Sequence, residues 1–125
     1  MSVPTILQEY YPKVLPSVLL NICTKMLTEE KTTFHLNGKI WSQGVHVNEM
    51  KHGEHNIWHS NGNIWIQGTY VNGKKHGKFT EFYPRGQPRS EENYANGELH
   101  GKCYEWYIDG QLKIEETYVK GNKVQ

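Results

Sequence analysis

A 24-residue period constrains this chain more than any other feature of it. His52-Gly53, His76-Gly77 and His100-Gly101 are spaced by 24, and so are Gly38, Gly62, Gly86 and Gly110. The stretches 70–87 and 94–111 share 10 of 18 residues at the same offset. A gapless period of this kind marks a repeat architecture, in which one small unit is stacked and each copy buries its face against its neighbours. The units are 34–57, 58–81, 82–105 and a shorter 106–125.

Each unit reads as a β-hairpin. Gly77 to Tyr83 is rich in aromatic and β-branched residues, Pro84-Arg85-Gly86 is a tight turn, and a second strand-like run follows. Asn37-Gly38, Asn61-Gly62 and Asp109-Gly110 supply the same turn in the other units, because these pairs tolerate positive φ. Asn72-Gly73 and Asn96-Gly97 link one hairpin to the next. About eight strands result, in one elongated sheet.

Strand alternation predicts the faces. Ile40, Ile64, Pro88 and Leu112 should share one face with His46, Tyr70, Tyr94 and Tyr118. Trp41, Trp65, Arg89 and Lys113 should lie on the other face, solvated except for the two tryptophans. Pro88 lacks an N–H, so the ladder should be irregular there.

Composition narrows the function. Net charge is +1, so no strong field recruits nucleic acid. Cys23 and Cys103 do not make a disulfide framework, and the start has no signal-peptide pattern, which points to a reducing, cytoplasmic setting. The seven histidines do not predict a metal site. His55 and His59 would stand about 13 Å apart on a strand, and the His-Gly histidines about 9.6 Å apart across alternate strands. Such columns cannot converge on one ion with bonds of about 2 Å. His-Gly is expected in the turn between hairpins. Glu91-Glu92 and Glu115-Glu116 point to opposite faces, so they are no acid–base couple. No catalysis, cofactor or small-molecule substrate is expected.

The motifs Asn72-Gly73-Lys74-Lys75-His76-Gly77-Lys78, Phe82-Tyr83-Pro84-Arg85-Gly86-Gln87 and Asn96-Gly97-Glu98-Leu99-His100-Gly101-Lys102 resemble MORN repeats of the longer variant. The resemblance covers about residues 34–125, the first unit departing with Glu49 in place of the linker glycine. It implies a mainly β fold, a single-sheet hairpin array over 32–125 with an aromatic groove. It implies no one function, since similar arrays serve junctions, lipid-kinase regulation, the cytoskeleton and large DNA viruses.

Residues 1–31 read as a separate helical segment. Pro16 starts a helix whose stripe is Leu15, Val18, Leu19, Ile22 and Met26, expected to cap the sheet. Its wording is similar to the opening of an F-box, which would make it a ubiquitin-ligase adaptor. The combination resembles some giant-virus proteins, so a virion or membrane-peripheral location is a further expectation.

Two surfaces are candidates. The aromatic columns Trp58, Phe82, Trp106 and His46, Tyr70, Tyr94, Tyr118 could line a groove for another protein or a second copy, as a homodimer. A lysine-rich row of turns, with Lys51, Lys74, Lys75, Lys78 and Lys102, could meet anionic lipid.

Overall fold

The computed structural model describes residues 27–124. They form one antiparallel meander: β1 (Thr28–Phe34), β2 (Ile40–Val47), β3 (Met50–Trp58), β4 (Ile64–Val71), β5 (Lys74–Phe82), β6 (Pro88–Ala95), β7 (Glu98–Leu99), β8 (Gly101–Trp106), β9 (Leu112–Val119) and β10 (Asn122–Val124). Consecutive strands pair except β7 and β8, which both pair with β6 and so occupy a single rung. The sheet thus has one rung more than four hairpins require.

No helix occurs among the described residues, and none there is long and apolar enough to cross a membrane. The expected helical segment needs one correction: residues 28–31 belong to β1, paired with β2 from Thr28↔Val47 to Lys31↔Gly44. Three threonines and a phenylalanine among its seven residues favour a strand over a helix. The expected stripe Leu15, Val18, Leu19, Ile22 and Met26 lies outside the described residues.

Two rows of turns close the meander. In one, Gly38, Gly62, Gly86 and Gly110 each hold positive φ and donate N–H to the carbonyl three residues back. In the other, Asn48-Glu49, Asn72-Gly73, Asn96-Gly97 and Lys120-Gly121 hold positive φ at both positions. Asn and Gly adopt this geometry with least strain. Glu49, at φ 66°, fills a position that is glycine in the other three turns.

His-Gly is not in these turns. Gly44 pairs His55 and His46 pairs Lys51, so Val45 alone faces His52-Gly53-Glu54. The strand bulges there, and Gly53, Gly77 and Gly101 carry the positive φ that the bulge requires. The histidine caps the neighbouring turn instead: His52 Nδ1 accepts from Asn72 N–H at 3.2 Å, and His100 Nδ1 from Lys120 N–H at 3.2 Å.

A second register shift recurs between Thr33/Phe34, Ile57/Trp58, Glu81/Phe82 and Glu105/Trp106. Trp58 pairs Ile64 while Ile57 pairs Ile66, leaving Trp65 as the extra residue. Pro88 is therefore no special irregularity; the shift beside it occurs in every hairpin.

Candidate functional site

One face of the sheet carries a continuous ladder of rings. His46 meets His55 at 6.2 Å, His55 meets Tyr70 at 5.8 Å, Tyr70 meets Phe79 at 5.3 Å and Phe79 meets Tyr94 at 5.5 Å, all near edge-to-face. Edge-to-face contact places the positive ring edge on the negative ring face. Phe79 and Cys103 are the buried hydrophobic side chains among the described residues, at 6% and 8% exposure. The rest of the ladder is half-buried, since no second layer covers it among the described residues.

Lysines run along the ladder. Lys51 Nζ lies 5.0 Å from the Tyr70 ring centre, and Lys75 Nζ lies 4.9 Å from Phe79 and 4.8 Å from Tyr94. Further on, the ladder tyrosines meet carboxylates: Tyr94 Oη donates to Glu92 at 2.8 Å and Tyr118 Oη to Glu116 at 3.1 Å. Burial raises the Tyr70 and Tyr94 phenols, with the Glu92 hydrogen bond adding to Tyr94. Burial holds the His55 imidazole below the usual histidine range, helped by the charges of Lys51 and His46.

The register shifts redistribute the expected faces. His35 lies against Trp41, His59 stacks on Trp65 at 5.2 Å, Arg89 covers Tyr83 and Lys113 covers Tyr107. Trp65 Nε1 donates to Glu81 at 3.2 Å, and Arg89 and Lys113 pair with Glu81 and Glu105. Glu81 pairs across with Ile66, two residues from Gly68 and four from Tyr70. Trp41, Trp65, Arg89 and Lys113 thus stand on the ladder face, and the face assignment made from alternation alone is corrected. Alternation breaks where a bulge inserts one residue.

The expected groove residues therefore divide. His46, Tyr70, Tyr94 and Tyr118 line the ladder face. Trp58, Phe82 and Trp106 alternate onto the other side, where Trp106 stacks on Tyr104 at 5.7 Å. The ladder's inner members, half-buried His55 and buried Phe79, stand 24 apart but were not among the expected groove residues. The lysine row divides as well. Lys51, Lys74 and Lys75 stand at or beside one row of turns, whereas Lys78 and Lys102 pair with Glu91 and Glu115 on the outer face.

The units are stitched together by side chains. His35 Nε2 bonds the Trp58 carbonyl, His59 Nε2 that of Phe82 and Tyr83 Oη that of Trp106. Asn37 donates to the Ser60 carbonyl, Asn61 to Pro84 and Gln87 to Ile108.

The family model described as MORN repeat variant matches residues 51–72, 75–96 and 99–120, more than half the chain. Each match spans two successive rungs joined through the Gly62 row of turns. The chain belongs to the MORN-repeat family. Its first hairpin lies outside the matched stretches, yet it takes the same register shift as the later MORN units. No curated protein matches the chain.

Proposed function

We propose that this MORN array is a non-catalytic binding module whose ladder face, with Tyr70, Tyr94 and Tyr118, contacts another protein. The observation that carries this reading is the single layer. Half-buried rings and the stems of Lys51 and Lys75 form a long amphipathic strip with no covering element among the described residues. Tyrosine at such a strip offers a flat apolar body and a polar tip.

The test compares capture from lysate by the full chain, by Tyr94→Ser and by Thr69→Glu on the outer face. The reading expects Tyr94→Ser to lose partners that Thr69→Glu keeps. The opposite pattern would place the contact on the outer face. Equal capture by all three would end the reading. Binding to anionic vesicles that survives Tyr94→Ser but fails after Lys74→Gln would favour a lipid surface at the turn row. The adaptor reading rests on residues before Leu27 and gains no support from the sheet.

A further inference from the structure

We propose that the first unit of the ladder face holds a recognition groove for an acidic peptide segment bearing a bulky apolar side chain. This deepens the interaction reading above and rests on it. An open groove of about 400 Å³ lies between β1, β2 and β3, with Lys31, Trp41, His46, Lys51, His55 and Ile57 in its walls.

Comparison between units shows what this groove lacks. The ladder-face column Thr33, Ile57, Glu81, Glu105 has its acids only in its later half. So does the column Gly44, Gly68, Glu92, Glu116. Trp65 finds a carboxylate, Glu81, for its Nε1–H. At the equivalent place before Trp41 the chain has Ile57.

The lysines remain. Lys31 and Lys51 face the groove, while the ion pairs among the described residues all lie between Lys78 and Lys123. Glu29, opposite His46 on the same face, is exposed and forms no ion pair there. Lys51 and His46 act electrostatically on His55, so their field reaches the groove interior. Trp41 is 48% exposed beside Ile57. An incoming carboxylate would meet Lys31 and Lys51 and could accept from Trp41 Nε1 as Glu81 accepts from Trp65. An adjacent apolar side chain would cover Trp41 and Ile57. A large aromatic anchor ringed by charge is the usual form of a binding hot spot, and the paired cations set its charge preference.

The test is a titration of the ¹⁵N-labelled full chain with the blocked pentapeptide Glu-Leu-Glu-Phe-Glu and with its Lys-Leu-Lys-Phe-Lys counterpart. The expected result is shifts at the Trp41 indole and in β1 to β3 with the acidic peptide only. Trp41→Ala, and Lys31→Gln with Lys51→Gln, should each weaken binding at least tenfold. Circular dichroism of each variant confirms that the sheet persists. The proposal is overturned by equal binding of both peptides, by shifts centred on Tyr94 or Tyr118, or by no binding at millimolar peptide. Contacts from residues 1–26 to Trp41 in the free full chain would also overturn it, since the groove would already be filled. In the capture experiment, loss by Tyr94→Ser with no loss by the lysine pair sinks the groove alone. Loss by neither sinks the interaction reading itself.

Discussion

The Phe79 ring lies directly beneath Gly68, so that a Cβ on Gly68 would overlap the ring edge. Gly44 stands in the same relation to His55. Each missing side chain makes room for a ring from the adjacent strand, and the ladder depends on that room.

Gly68→Ala should therefore drive Phe79 off its position. Overpacking of this kind costs about 1–3 kcal/mol. Chemical denaturation should show that loss, with a change in the near-ultraviolet signal of the aromatic ladder. An unchanged midpoint would mean the ring moves aside freely.

His55 should make stability depend on pH. Its folded-state affinity for a proton is lowered by burial first, then by Lys51 and His46. The unfolded chain, with a value near about 6.5, therefore binds the proton more readily. Stability from this group is complete above that value and is lost as pH falls through it toward the folded value. The melting temperature should drop between pH 7.5 and 5. His55→Phe, which copies Phe79 one unit on, should flatten that drop. A drop of the same size in the variant would assign the effect elsewhere.

Glu49 should be a source of strain. It holds φ 66° where the other turns of its row place glycine. The left-handed conformation costs an ordinary L-residue roughly 1–2 kcal/mol. Glu49→Gly should raise the melting temperature by removing part of that cost. A fall would show that the Glu49 side chain contributes a contact outweighing it.

Cys103 should resist thiol reagents. It is buried, and burial is the main cause that raises its thiol. Only the thiolate attacks such reagents. In a Cys23→Ser background, labelling by Ellman's reagent should be slow in native buffer and rapid in denaturant. Rapid native labelling would mean that β8 opens readily.

Much of this was legible before any coordinates. The spacing of Gly38, Gly62, Gly86 and Gly110 placed the hairpin turns, and Asn72-Gly73 and Asn96-Gly97 placed the links between them. The tyrosine column fell on one face, as period-2 alternation requires. Trp41 and Trp65 did not, because a register shift beside Trp58 inserts one residue and turns the tryptophan toward the ladder. Nothing in a bare alternation pattern marks such an insertion. His-Gly was legible as a constraint on backbone but not as a bulge, since glycine at positive φ serves both. The column of His55, Phe79 and Cys103 is visible at the 24-residue spacing, but with Lys31 and Cys103 among its members it reads as filler and not as a ladder of rings.

The stitching hydrogen bonds all point one way along the chain. Asn37 reaches forward to Ser60, Asn61 to Pro84 and Gln87 to Ile108. In the reach of these side chains the array is thus a directional polymer in miniature. A unit duplicated after the last one would find Tyr107 and Gln111 already in place to grip its carbonyls, at the positions of Tyr83 and Gln87. One added ahead of the first would have to bring its own donors. Growth by duplication is therefore chemically easier on the carboxyl side of the array, where Tyr107 and Gln111 already present the gripping side chains.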